Sequence, residues 1–513
     1  MASSILPNIT NVIVLMLENR SFDNVLGGMS SIYTGQNFNG LTGNEFNMGP
    51  AGPGTSGSSE SLFVWSGQSD PSLLIMPYPD PGEYFSDMNM QIFNANVTSG
   101  SPQMTGFASN YSTQPAEILP NGKNGPLPYA QNIMQYYSQA NMPISQSLAA
   151  GYGVSDMWFA SGPVQTFPNR VFTLCGTPGT NSGQSFVNDK DYEDVFAGGL
   201  DLPTIFDAID NNPPNNPNAN GLPNWKLYFH DYSIAWGLLT SIKEAPGALL
   251  QPGWEENSIT NKLVHYDYSD RGDKSTGPTF IDDIRNNSLP TYAFIEPRYS
   301  TMTSNIPNSN HPGGADLLLP GDGTPINVYY GEQLLLDIYT QLYNSNLFES
   351  TLLVVTYDEH GGLFDHVGPP SAVSPFTTSV SNFNYNRYGV RVPAIFINPY
   401  ISSKTICRPQ TSVFDHTSLI STLWSQFNLG DYNGQSYLTP RDQSAPTLEG
   451  LINLNSPRTD GGNDPLIDPK SLNLPPTPPT TEVRPNSCRI PAFRELEDHL
   501  LDNVEPYKNI KLD

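Results

Sequence analysis

Two short acidic segments hold the residues best suited to chemistry. Glu18-Asn19 is followed by Arg20-Ser21-Phe22-Asp23, and Asp358-Glu359-His360-Gly361-Gly362 is followed by Asp365-His366. Carboxylates gathered at one point repel one another unless protons or a cation lie between them. Oxygen donors of this kind suit a divalent cation, with Ca, Mg, Mn and Zn all open. If the two segments lie side by side, five or six oxygen and nitrogen ligands converge at one point. The rival reading makes the two pairs solvent-exposed strand ends or caps of following helices.

Each acidic pair follows an apolar run of strand length, Asn11–Leu17 and Thr351–Tyr357. Continuous apolar runs of this kind belong to central strands covered on both faces. Leu335, Ile338, Tyr339 and Leu342 recur at helical spacing within 328–342, so a helix leads into the second strand. Further strands are expected over 392–398 and 291–295. In open α/β sheets ligands gather at the carboxyl ends of the strands, and there both acidic pairs fall.

The stretches 37–57 and 211–223 are rich in Gly, Asn and Pro and read as loops. Gly52-x-Gly54-x-x-Gly57 lacks the preceding strand of a dinucleotide site. His360-Gly361-Gly362 resembles an esterase oxyanion loop, but Leu363 stands fourth and no G-x-S-x-G elbow exists. The expected domains are a catalytic unit over 8–440 and a Pro/Asn-rich extension over 441–513 ending in a short helix near 491–501.

With 23 Lys+Arg against 49 Asp+Glu the 513-residue chain has a formal charge of −26. General nucleic-acid binding and attraction to an anionic bilayer both need clustered cations, so neither is expected. No basic segment precedes Val12–Leu17, so no export signal is expected, and no apolar run reaches transmembrane length. Secreted and cytoplasmic locations both stay open, as does the oligomeric state. The three cysteines, Cys175, Cys407 and Cys488, match no metal spacing.

The segments Glu18-Asn-Arg-Ser-Phe-Asp23 and Thr356-Tyr-Asp-Glu-His-Gly-Gly-Leu-Phe-Asp-His-Val367 closely resemble signatures of the phosphoesterase family. That family holds non-specific phospholipases C and a bacterial acid phosphatase, within the alkaline phosphatase superfamily. Asp80-Pro-Gly82 with Gln91-Ile-Phe93, Asp156–Ser161, Thr166-Phe-Pro-Asn-Arg170, Asn310-His-Pro312, Gly389–Pro393 and Phe414–Ser418 are similar to further family blocks in the same order. The resemblance spans roughly residues 10–425. It implies an α/β, alkaline-phosphatase-like sandwich with a central, mostly parallel sheet flanked by helices, plus a smaller C-terminal appendage.

The resemblance also implies roles. Thr166 takes the place of the family's nucleophile, activated by a metal held by Glu18, Asn19, Asp358 and Glu359, and a phosphothreonine would form. His311, His360 and His366 fall in family blocks and are the expected catalytic histidines, with His311 for phosphate contact or general-acid work. Asn169, Arg170, His230 and Glu83 are expected substrate contacts, though Arg170 reads equally as an ion-pair partner. Glu83 stands where the family carries histidine, which bears on substrate range. The implied substrate is a phosphate ester, with phospholipid the leading case. The acidic surface favours a zwitterionic head group over an anionic one. A phosphatase acting on soluble monoesters and a group-transferring enzyme are the alternatives, and a non-catalytic binding protein is a third.

Overall fold

Strand Asn11–Leu17 (β1) is buried at every position, as its uninterrupted apolar run requires. It lies inside an eight-stranded sheet of the computed structural model. Residues 4–475 are described, apart from 53–58, 68–69, 117–126, 196–197, 215–220, 231–232, 244–261, 266–278, 300–306 and 314–325. The other strands of this sheet are Gly153–Ser155 (β2), Trp225–Phe229 (β3), Leu263–His265 (β4), Tyr292–Ile295 (β5), Thr351–Tyr357 (β6), Ala394–Ile397 (β7) and Thr405–Ile406 (β8). Their spatial order is β8-β2-β7-β6-β1-β5-β3-β4.

The sheet is mostly parallel: β6, β1, β5, β3 and β4 run in one direction. The expected strand over 392–398 is present as β7, but it pairs antiparallel with β6 and with β2. Leu17 faces Tyr357 and Leu15 faces Ile295 in register. The residues after these strands, Glu18, Asp358 and Glu296, therefore emerge at one edge.

Flanking helices include Phe85–Phe93 (α1), Pro143–Gly151 (α2), Thr166–Cys175 (α3), Val328–Tyr343 (α4) and Thr417–Phe427 (α5). Leu335, Ile338, Tyr339 and Leu342 of α4 are buried in the same cluster as both faces of β1 and β6. The fold is thus α/β, with helices covering a central mostly parallel sheet.

One expected loop contains regular structure. Within 37–57, Phe46–Pro50 pairs antiparallel with Ser59–Phe63. Phe46 and Met48 point outward while Asn47 and Gly49 point in, an alternation that the Gly/Asn composition hid. From 441 the described chain runs on over the same core. Arg441 is fully buried, and Leu448 and Leu451 join the central cluster. Cys488 and the helix expected near 491–501 lie outside the described residues. No described helix is long and apolar enough to cross a membrane.

Candidate functional site

The edge formed by β1 and β6 turns abruptly. Asn19 adopts φ 57°, a left-handed conformation that Asn tolerates better than most side chains. Its backbone N–H donates to Asp358 Oδ1 at 3.0 Å, tying the two strand ends together. Glu359 N–H donates to the same oxygen at 2.8 Å. The reverse turn needs Gly361: at φ 61° a Cβ there would lie 2.2 Å from the Asn19 carbonyl oxygen. No side chain fits that gap.

Thr166 begins helix α3, and its hydroxyl donates to Asn19 Oδ1 at 3.3 Å. The helix start is capped from a distance: Phe167 N–H donates to Asp189 Oδ1 at 2.7 Å, and Asp189 is 1% exposed. Burial raises the Asp189 carboxyl well above its usual range, against the pull of that backbone donor. Asn169 spends its amide on the loop before Thr166, donating to Val164 O at 2.7 Å and accepting from Gly162 N–H at 3.1 Å. One turn further, Arg170 Nε meets Asp358 Oδ2 at 2.9 Å, with both side chains buried. Burial opposes the Arg170 charge, yet Tyr299, Asp358, Glu18 and Glu296 together hold its pKa above the ordinary value.

The expected metal residues therefore share one edge but differ in freedom. Asp358 is engaged at both oxygens, by Arg170 and by two backbone N–H groups. Glu18 is fully buried, and neither carboxylate oxygen makes a well-formed hydrogen bond. Burial raises its pKa, with Arg170 pulling the other way. The Ser309 hydroxyl also draws its pKa down. Glu359 accepts from Gly361 N–H at 2.7 Å through Oε2, while its buried Oε1 has no hydrogen-bond partner. Burial and then Asp358 raise Glu359. Buried carboxylate oxygens without donors, beside the Asn19 amide oxygen, fit a divalent cation with oxygen ligands.

Glu83, before helix α1, reaches the same point. Its Oε1 accepts from Asn19 Nδ2 at 2.7 Å, and the same amide nitrogen lies 3.0 Å from His311 Nε2. Burial, followed by Asp80 and Glu359, pushes the Glu83 carboxyl well up. His311 Nδ1 lies 2.6 Å from the Pro312 carbonyl, which fixes the proton on Nδ1 and leaves Nε2 as an acceptor. Burial lowers His311 to about 4.

The other expected histidines are placed differently. His360 is buried and donates from Nε2 to Gln91 Oε1 at 2.8 Å, with Nδ1 3.3 Å from Glu359 Oε2. Burial lowers its pKa to about 3. His366 belongs to a second polar knot: Nδ1 meets Asp23 Oδ2 at 2.6 Å and Nε2 lies 3.1 Å from Asn39 Oδ1. Arg391 binds both Asp23 and Asp365 in that knot. His230 follows β3, with Nε2 3.2 Å from Arg298 Nη1. His416 is a satisfied neutral imidazole, donating to the Asp358 carbonyl at 2.6 Å and accepting from Trp158 Nε1 at 3.4 Å.

Sequence reasoning missed Asp189 and gave Asp80 no role. Asp189 sits in the polar run Asn188-Asp-Lys-Asp191, which looks like a surface loop. Only the donor-rich start of α3, lacking a cap of its own, could have signalled it.

The Phosphoesterase family profile matches residues 9–430. "Non-specific phospholipase C1" of Arabidopsis thaliana is 30% identical over 464 residues, covering 88% of this chain and 72% of the relative. "Phospholipase C A" of Mycobacterium tuberculosis is 26% identical over 474 residues, covering 86% and 80%. A solved protein in the alkaline phosphatase superfamily from Vibrio parahaemolyticus is 12% identical with a TM-score of 0.32, covering 60% of this chain and 64% of that one. A likeness that low carries no weight here.

Proposed function

The chain belongs to the Phosphoesterase family, and from that membership we propose a phospholipase C reaction carried out at Thr166 through a covalent phosphothreonine. The observation that supports it most is the Thr166 hydroxyl on Asn19 Oδ1, at the start of a buried helix. Beside it stand the unpartnered oxygens of Glu18 and Glu359.

In this reading Glu18, Asn19 and Glu359 would hold a divalent cation, with Asp358 alongside them. Such a cation supplies a lowered hydroxyl pKa and charge compensation for phosphoryl oxygens. The chain's own residues do the positioning. Asp189 fixes the first turn of α3 and Asn169 the loop before it, so the backbone that carries Thr166 is held on both sides. Arg170 holds Asp358 and keeps net charge at the edge tolerable. Thr166 Oγ gives up its proton and attacks phosphorus, the bond to the diacylglycerol oxygen breaks, and that oxygen takes up a proton in its place. Water then cleaves the Oγ–P bond and releases the phosphorylated head group.

The family relatives named phospholipase C favour a phospholipid diester. A protein of charge −26 approaches a zwitterionic surface more readily than an anionic one. Turnover of p-nitrophenylphosphorylcholine beside p-nitrophenyl phosphate tests the reading. Thr166→Ala is expected to lower diester turnover by at least about a thousandfold, and Thr166→Ser to retain part of it. Diester turnover unchanged in Thr166→Ala would overturn the nucleophile, and monoester turnover alone would overturn the substrate class.

A further inference from the structure

We infer that the ribbon of Phe46–Pro50 and Ser59–Phe63 is a docking face for a zwitterionic phospholipid surface. The occupant rests on the phospholipid reading above, and the place rests on the ribbon's own side chains. Phe46, Met48 and Phe63 are 46%, 44% and 49% exposed, three of the seven large apolar side chains exposed among the described residues. They share one face: Phe46 stands opposite Phe63, Met48 opposite Ser61 and Pro50 opposite Ser59. The two phenyl rings lie 5.4 Å apart, and the Ser61 hydroxyl is 3.6 Å from Met48 Sδ. No ionisable side chain interrupts that face, since Glu60 pairs with Gly49 on the other. Singly scattered apolar side chains need no explanation, but a contiguous set marks a contact surface.

Charge and size choose the occupant. Residues 37–66 contain Glu45 and Glu60 but no Lys or Arg, so an anionic bilayer is not drawn to them. A second copy of the chain would bring its own charge of −26, and like charges oppose association. A stable interface between copies also buries about 1,200–2,000 Å², far more than three half-exposed side chains supply. A zwitterionic surface needs neither cations nor a wide footprint. A few aromatic and apolar side chains sink into its head-group boundary, each contributing through the area it buries.

The ribbon is a two-stranded sheet of its own, yet it is anchored to the site. Between Phe46 and Met48, Asn47 turns inward. Its Oδ1 accepts from the Phe107 and Ala108 N–H groups at 2.9 and 3.3 Å, and its Nδ2 donates to the Met104 carbonyl at 3.0 Å. Leu62 packs inward with Phe107, Leu363 and Phe364. The Phe107 ring meets His360 edge-on at 6.0 Å, and His360 Nδ1 is 3.3 Å from Glu359. A lipid surface held by the ribbon is thus tied through two side chains to the edge where Glu359 stands.

The test is co-flotation of the full chain with phosphatidylcholine vesicles, in a Thr166→Ala background so that the lipid stays intact. The expected result is binding that weakens at least about tenfold in Phe46→Thr/Phe63→Thr. Ser61→Glu, which leaves both rings in place, should weaken it likewise. Phosphatidylglycerol vesicles should bind less than phosphatidylcholine ones. With Thr166 restored, both variants should lose turnover of vesicle lipid by a similar factor and keep turnover of p-nitrophenylphosphorylcholine, a soluble diester. Undiminished flotation of both variants overturns the proposal, as does a parent chain that does not float or that prefers phosphatidylglycerol. Equal loss of soluble and vesicle turnover in a variant whose melting curve is unchanged overturns it too. So does a parent that sediments as a dimer while Phe46→Thr/Phe63→Thr is a monomer, because the face would then join two copies. A chain that floats through these residues yet hydrolyses no diester refutes the phospholipase reading and supports the docking face.

Discussion

Replacing Arg170 with Gln exposes how the strand-end carboxylates are tolerated. Arg170 Nε lies 2.9 Å from Asp358 Oδ2, with side-chain exposures of 3% and 0%. Its Nη2 also donates to the carbonyls of Met16 and Leu17 at 3.3 Å. Removing one partner of a buried pair leaves an uncompensated charge and costs about 3–5 kcal/mol. At ~2.1 cal/mol/K of unfolding entropy per residue, the 513-residue chain carries ~1.1 kcal/mol/K if it unfolds as one unit. Arg170→Gln should therefore lower Tm by about 3–5 °C. Calorimetry in chelator reads this without help from a bound cation. Asp358→Asn and the double variant complete a cycle, and at least ~1 kcal/mol of coupling is expected. A drop below about 1 °C, or full additivity, would refute the claim that the pair keeps these carboxylates tolerable.

Gly361→Ala forces a Cβ toward the Asn19 carbonyl at 2.2 Å and at φ 61°. It should cost about 2 kcal/mol or more and reduce turnover together with Tm; wild-type values of both would refute the constraint. Acid should destabilise the protein through His311 and His416, which burial lowers to about 4 each. Their contribution is complete above the unfolded value near 6.5. It falls by ~1.4 kcal/mol per histidine per pH unit as pH drops towards 4. Glu83 and Glu359, raised by burial, act in the opposite sense as pH falls. The comparison is therefore between wild type and His416→Gln, whose Tm–pH curve should be flatter between pH 6.5 and 4; an unchanged slope would refute it.

The strands that place the site were legible because a buried parallel strand has an apolar residue at every position. Asn11–Leu17 and Thr351–Tyr357 show this from end to end. Direction was not legible: an apolar run such as Ala394–Ile397 looks the same read either way, and only the sheet reveals its antiparallel pairing. Residue type and strand-end position picked out Glu18, Asn19, Asp358 and Glu359, which the structure brings to one edge. Their division of labour was hidden, because Arg170 reaches Asp358 only through the packing of α3. His366 lies six residues past His360 in sequence, but Leu363 and Phe364 turn into a separate apolar cluster. That turn carries His366 to Asp23 and Arg391.

The placement of β1 has a consequence for how the protein is made. β1, the first strand of this sheet in chain order, is an inner one, and its neighbours β5 and β6 begin at Tyr292 and Thr351. Asn19 finds Asp358 across a separation of 339 residues. An apolar ribbon of seven residues therefore waits unpaired until the chain has grown as far as Tyr292 and Thr351. Long-range parallel pairing of this kind is slow and leaves sticky intermediates. Arg441 extends the delay, since it binds the Ser161 carbonyl and Asp415. Newly synthesised chains should depend on chaperones, and production should gain more from slowed translation and low temperature than from any change at the surface.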